Sequence, residues 1–131
     1  MKYLLPLILL SFHSLSAFAW TGIPETTNKL YDGDVDSANV VIMDFNASWC
    51  PHCQNYRKVL NEIYNDDQSF DLKTFSIYSV DSDRQSALFD DFGVTSYPTT
   101  LIYQNGTLVR RFTGERSYDA LAKTIHTLTG K

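Results

Sequence analysis

The chain of 131 residues has few cysteines, few basic residues and no apolar run of membrane-spanning length. Its only two cysteines, Cys50 and Cys53, enclose so small a loop that a purely structural disulfide would stabilise the fold weakly. Lys and Arg number 11 against 15 Asp and Glu, and basic residues form no cluster larger than a pair such as Arg110-Arg111. Binding to nucleic acid or to an anionic membrane is therefore disfavoured.

The first nineteen residues have the pattern of a secretory signal peptide. Met1-Lys2 carries positive charge, and residues 3–10 are nearly all apolar. Ala17 and Ala19 are small residues at the two positions before the cleavage site that a signal peptidase recognises. The apolar segment is shorter than the ~20 residues that a membrane span needs, which disfavours a membrane anchor. We therefore expect residues 1–19 to be a cleaved signal peptide and residues 20–131 to form one exported domain.

Hydrophobic periodicity and turn residues predict the order strand, helix, strand, helix, strand, strand, helix. The predicted strands are 40–45, 72–80, 99–103 and 107–112, and the predicted helices are 51–64, a short one capped by Asp81-Ser82-Asp83 and closed by Gly93, and a last one between Ser117 and Gly130. Asn105-Gly106 predicts a type I′ turn between the last two strands. This order predicts an α/β fold with a central mixed β-sheet flanked by helices on both faces.

The cysteine pair lies where the first strand gives way to the first helix. Pro51 suits the first helical turn, so Cys50 lies at the helix N-terminus, where unpaired N–H groups favour a thiolate. Cys53 returns to the same helix face three residues later and can form or break a disulfide with Cys50. His52 lies between them and can add positive charge or a hydrogen bond to the thiolate.

Three kinds of site could use this cysteine pair. A zinc site needs two further ligands, yet the only other histidines are His13 in the predicted signal peptide and His126, which reads as a surface residue. An inert structural disulfide is disfavoured by the small loop. The spacing thus favours a redox-active pair, and we expect no metal.

Three segments of the chain resemble the thioredoxin-fold thiol–disulfide oxidoreductases. Asp-Phe-x-Ala-x-Trp-Cys-x-x-Cys spans residues 44–53, Gly-Val-Thr-Ser-Tyr-Pro-Thr spans 93–99, and residues 105–114 resemble the family's final hairpin and closing glycine. The match covers nearly all of the chain from Val40 onward, with the segments in the family's order. The resemblance implies a thioredoxin-like fold.

The resemblance also implies roles for residues around the pair. Cys50 would be the attacking thiolate, Cys53 the resolving thiol, and Asp44 a buried carboxylate that exchanges protons with Cys53. The alternative for Asp44 is an ordinary strand-end residue satisfied by a cap. Pro98 would be a cis-proline facing the disulfide, and the residues expected to contact substrate are Trp49, Pro51, Tyr97 and Pro98.

Two features depart from the family pattern of cytoplasmic thioredoxins. Pro51-His52 is similar to the dipeptide of the strongly oxidising, periplasmic DsbA-type enzymes, but the 44 residues between Cys53 and Pro98 leave no room for their inserted helical domain. Ile77 stands where many thioredoxins carry a lysine near the buried aspartate. The direction of electron flow, oxidase or reductase, therefore stays open.

Together these patterns predict an exported thiol–disulfide oxidoreductase, with the bacterial periplasm as the first expected location and secretion as the second. Protein thiols and disulfides would be its substrates, and a membrane redox protein would be its partner. We expect a monomer without a bound cofactor. The alternative is a redox-independent protein-binding or chaperone module with the same fold.

Overall fold

A computed structural model of the protein describes residues 40–66, 68–71 and 74–130. Its elements in chain order are β1 (Val40–Asn46), α1 (Pro51–Asn65), β2 (Phe75–Asp81), α2 (Ser86–Asp91), β3 (Thr99–Gln104), β4 (Thr107–Thr113) and α3 (Tyr118–Thr129). The signal peptide predicted at residues 1–19 and the start of the strand predicted from residue 72 lie outside the described residues. None of the helices in the described part of the chain has both the length and the apolar character needed to cross a membrane.

The four strands form one mixed sheet in the order β2-β1-β3-β4. Strand β1 pairs parallel with β2 and antiparallel with β3, and β3 and β4 form an antiparallel hairpin. Each residue of β1 is buried, because the strand has a neighbour on either side and a packed layer on either face. The apolar run that predicted a central strand is thereby explained.

Helices cover both faces of the sheet, as predicted. Side chains alternate along β1, so Val40 and Ile42 pack on one face and Val41, Met43 and Phe45 on the other. The first face is covered by α1 and α3 through buried residues that include Tyr56, Leu60, Ile63, Leu121 and Ile125. The second face is covered by the short α2 through Leu88 and Phe89. By the same alternation, Asp44 belongs to the face beneath α1.

Local chemistry determines most of the element ends. The Ser117 hydroxyl accepts a hydrogen bond from the backbone N–H of Ala120 at 3.2 Å and caps α3. Gly130 ends the same helix in the left-handed conformation, with φ of 74°. Asn105 and Gly106 both have positive φ, 50° and 79°, as the predicted type I′ turn requires.

The start of α2 differs from the prediction. Asp81-Ser82-Asp83 does not cap the helix, which begins at Ser86 after a Gln85 that makes no side-chain capping bond. Instead the Asp81 carboxylate accepts the backbone N–H of Asp83 at 2.8 Å, and this local turn ends β2. Aspartate bonds to nearby backbone in turns as readily as at helix starts, so the sequence pattern did not distinguish the two.

Replacing Leu60 by alanine should destabilise the protein by about 2–5 kcal/mol, because this fully buried side chain joins α1 to the core beneath it. The matched control is Leu108→Ala, because Leu108 lies on β4 with 43% of its surface exposed. The control should change stability by about 0.5 kcal/mol or less. Urea unfolding of both variants measures the difference, and equal losses would contradict the assignment of the core.

Candidate active site

The two cysteines lie at the connection between β1 and α1. Strand β1 ends at Asn46, the chain turns, and the backbone N–H of Cys50 bonds to the carbonyl of Ala47 at 3.2 Å. Cys50 is the N-cap residue of α1 and Pro51 opens the helix, as predicted. The Cys50 sulfur accepts the backbone N–H of Cys53 at 3.2 Å. A sulfur in this position faces the positive end of the helix dipole, which favours its thiolate form.

Cys50 and Cys53 are joined in a disulfide, with their Cα atoms 5.2 Å apart. Both residues are buried, with 5% and 3% of their surfaces exposed. Together with Ala47 they form a small apolar cluster against which Tyr97 packs. The pair is thus largely enclosed by the protein, so reacting groups must approach over the few atoms that remain accessible.

An aromatic pair borders the disulfide. The Tyr97–Pro98 peptide bond is cis, and Pro98 is buried. The ring of Trp49 lies edge-on to that of Tyr97, with 5.7 Å between their centroids, and Trp49 remains 65% exposed. An exposed tryptophan beside a nearly buried disulfide is a surface that another protein could cover. Pro51 is also exposed at this end of α1.

His52 is largely exposed at the start of α1. Its side chain is 75% exposed, and its Nδ1 atom lies 3.5 Å from the Glu115 carboxylate, which follows the last strand. When His52 is protonated, this contact is an exposed ion pair next to the N-terminus of α1. The sequence did not single out Glu115, which no local pattern connects with residue 52.

Asp44 is fully buried beneath α1. Burial raises the pKa of its carboxyl to about 7, against the opposing effects of the positive Arg57 and a hydrogen bond from Asn46. Oδ2 accepts the Asn46 amide at 3.2 Å, whereas Oδ1 has no hydrogen-bond partner among the described residues. Asp44 is therefore not a capped strand-end residue. A carboxyl with such a pKa can accept and return a proton near neutral pH.

Polar residues flank Asp44 along the sheet. Asp44 pairs with Ser79 of β2 on one side and with Thr100 of β3 on the other. Thr100 donates its hydroxyl to the Tyr56 hydroxyl at 3.0 Å. Burial raises the pKa of Tyr56 to about 12, so this neighbour stays neutral at physiological pH. Asp44 thus lies in a buried polar row within an otherwise apolar face.

A cleft of about 220 Å³ opens beside Cys53. Its lining consists of Asn46, Ala47, Ser48, Cys53, Gln54, Arg57 and Asp81. Sequence reasoning missed Asn46 and Arg57, although a signal existed for each. Asn46 lies two residues after Asp44 in the strand, and Arg57 lies four residues after Cys53 in the helix, so each shares a face with the earlier residue.

No group of three or more His, Cys, Asp or Glu side chains within residues 40–66, 68–71 and 74–130 is arranged to hold a metal ion. His126 instead stacks on Phe70, with 4.9 Å between ring centroids.

Known proteins resemble this chain over most of its length. The family model for thioredoxin matches residues 22–127. A thioredoxin of Mycolicibacterium smegmatis is 33% identical over 100 residues, which cover 76% of this chain and 88% of that protein. A solved thioredoxin variant from Halobacterium salinarum superposes with a TM-score of 0.71 at 25% identity, over 82% of this chain and 89% of that one.

Disulfide isomerases are matched as well, but only over a part of their length. A probable protein disulfide-isomerase of Schistosoma mansoni is 31% identical over 125 residues, which make up 93% of this chain. The chain spans only a quarter of that protein. The likeness therefore concerns one portion of the larger protein.

Stability should fall with rising pH because of Asp44. Its folded pKa, about 7, exceeds the unfolded value of 3.8, so folding favours the protonated form. The resulting penalty is absent below pH 4, grows as pH rises towards 7 and then stays constant. Between pH 5 and pH 8 it should cost about 2–3 kcal/mol. Asp44→Asn should abolish this loss in urea unfolding at the two pH values.

The exposed Asp119 of α3 supplies the control for this experiment. Asp119→Asn should keep the pH dependence of the unsubstituted protein, because its carboxylate faces solvent. An Asp44→Asn variant that loses as much stability between pH 5 and pH 8 as the unsubstituted protein would contradict the raised pKa.

Proposed function

The chain belongs to the thioredoxin family, and on that premise we propose that it is a thiol–disulfide oxidoreductase acting on protein substrates through Cys50 and Cys53. The observation that carries the proposal is the disulfide at the N-terminus of α1, with the Cys50 sulfur bonded to the Cys53 N–H. This position stabilises a thiolate, which is the nucleophile in disulfide exchange.

In the reducing direction, the Cys50 thiolate attacks a substrate disulfide. A mixed disulfide forms at Cys50, and the first substrate sulfur leaves as a thiolate. Cys53 then gives its proton to Asp44 and attacks the Cys50 sulfur. The Cys50–Cys53 disulfide forms, the second substrate sulfur leaves, and two electrons have passed to the substrate. The same steps in reverse oxidise a substrate dithiol.

Substrate would bind at the exposed surface that surrounds the cysteine pair, which is called the rim below. Trp49 and Tyr97 offer an aromatic edge beside the disulfide, and Pro51 lies exposed at the helix start. Backbone groups around the cis peptide bond of Tyr97 and Pro98 would pair with an extended substrate segment. The cysteines expose little of their surface, so a substrate disulfide would approach them across this rim.

The proposed setting is an oxidising compartment outside the cytoplasm, with the bacterial periplasm as first choice. The signal-like pattern of residues 1–19 supports export. Electrons would be exchanged with a membrane redox protein, and the domain would act as a monomer. It would need no bound cofactor, because the cysteine pair itself carries the electrons.

Cys53→Ser should accumulate a mixed disulfide with a substrate protein, because the attacking sulfur remains while the resolving one is lost. Cys50→Ser should form none, and either variant should lose turnover in an insulin-reduction assay. Each is the matched control for the other, since both lack the disulfide. Non-reducing electrophoresis detects the trapped species. Unchanged biological function of Cys50→Ser would instead support a redox-independent binding or chaperone module.

The reduction potential of the pair, measured against glutathione, separates the two directions. A value near about −120 mV would support an oxidase and one near about −270 mV a reductase. His52→Ala should make the pair more reducing, by about 30 mV for a loss of about 1.4 kcal/mol of thiolate stabilisation. His126→Ala, which alters the ring stacked on Phe70, should leave the potential unchanged. An unaltered or more oxidising potential in His52→Ala would show that His52 does not stabilise the thiolate.

A further inference from the structure

Arg57 reaches from α1 to the polar residues beside Asp44. Its Nη2 atom donates to the Ser79 hydroxyl at 2.6 Å and lies 3.5 Å from Oδ1 of Asn46. The side chain is half-buried and lines the same cleft as Cys53. A guanidinium in this place loses part of its hydration, and the two oxygen acceptors replace some of it.

These contacts determine which way the Asn46 amide faces. Its oxygen lies towards Arg57, while its nitrogen donates to the Asp44 carboxylate at 3.2 Å and to Ser79 at 2.8 Å. The reversed amide would bring a second oxygen against the carboxylate and would lose the acceptor of Arg57. The same nitrogen donates to the Asp44 backbone carbonyl at 3.0 Å, so Arg57 reinforces an orientation that directs an N–H donor at the Asp44 carboxylate.

Arg57 also carries the positive charge that lowers the pKa of the Asp44 carboxyl from the helix packed above it. Asn46 of β1 donates to the carboxyl, Ser79 of β2 and Thr100 of β3 pair with Asp44 in the sheet, and Tyr56 and Arg57 of α1 interact with its charge. Cys53 and Asp81 line the cleft into which Arg57 reaches. Tyr56 is neutral, and Arg116 interacts with Tyr56. Without the positive charge of Arg57, only the hydrogen bond from Asn46 would counter the rise that burial causes in the pKa of Asp44.

We propose that Arg57 is a positioning residue for proton transfer between Cys53 and Asp44: it holds the Asn46 donor on the carboxylate and places a positive charge beside it. The inference rests on the proposed function. In the step concerned, the Cys53 thiol gives its proton to the Asp44 carboxylate, and its electron pair forms the bond to Cys50. The bond from Cys50 to the substrate sulfur breaks, and the leaving thiolate takes that electron pair.

The test uses stopped-flow mixing of the reduced protein with the aromatic disulfide 5,5′-dithiobis(2-nitrobenzoate). Attack by Cys50 releases a first coloured thiolate, and attack by Cys53 on the resulting mixed disulfide releases a second. Arg57→Met keeps an unbranched apolar stem and removes the guanidinium with its charge. Arg57→Lys keeps the charge, and Lys58→Met removes an equal charge from an exposed neighbouring position of α1.

In Arg57→Met, the pH midpoint of the second phase should rise by about one unit, because the carboxylate becomes harder to ionise. At pH values below both midpoints the second phase should then be about tenfold slower. Arg57→Lys should recover most of this shift, and Lys58→Met should show none. The first phase should keep its amplitude in each variant.

Other outcomes separate the two proposals. Absence of a second phase in the unsubstituted protein would overturn the proposed function itself. Two normal phases with an unshifted midpoint in Arg57→Met would overturn only the role of Arg57. If Arg57→Met does not fold, Ser79→Ala decides the question, because it removes the 2.6 Å anchor of Arg57 and keeps the charge. It should shift the midpoint upward by a smaller amount, and an unshifted midpoint overturns the inference.

Discussion

Burial of one carboxyl in the central strand is the constraint around which this molecule is arranged. Strand β1 is enclosed along its whole length, so the Asp44 side chain cannot reach water and its pKa rises to about 7. The polar residues beside it, Asn46, Ser79 and Thr100, occupy a face that is otherwise apolar. Each of these side chains takes part in a hydrogen bond, which offsets the cost of burying it.

The connection from β1 to α1 brings the carboxyl and the sulfur pair into one unit. Only five residues separate Asp44 from Cys50, and the strand ends at Asn46, shortly before the helix begins at Pro51. Asp44 faces α1, and Cys53 is buried on the inner side of that helix, beside the cleft. A short connection between two rigid elements therefore holds the buried carboxyl and the cysteine pair with little conformational freedom.

Much of the fold could be predicted, because the deciding interactions are local. The Asn105-Gly106 turn and the Ser117 cap depend on residues within a few positions of one another. The predicted start of α2 was wrong for a related reason. Asp81 accepts the nearby Asp83 N–H in a turn and does not cap a helix. Arg57 was missed because its partners Asn46 and Ser79 are 11 and 22 residues away along the chain.

The sequence alone determined the redox pair, the helix start beneath it and the buried strand that precedes it, since spacing and hydrophobic pattern are sufficient for each. Only the tertiary structure decided what surrounds Asp44. Ile77, where many thioredoxins carry a lysine, is buried in the core, and the cation comes from Arg57 on the helix. Likewise, only the fold brought Glu115 to His52. Such pairings arise when distant segments pack together, and no local pattern encodes them.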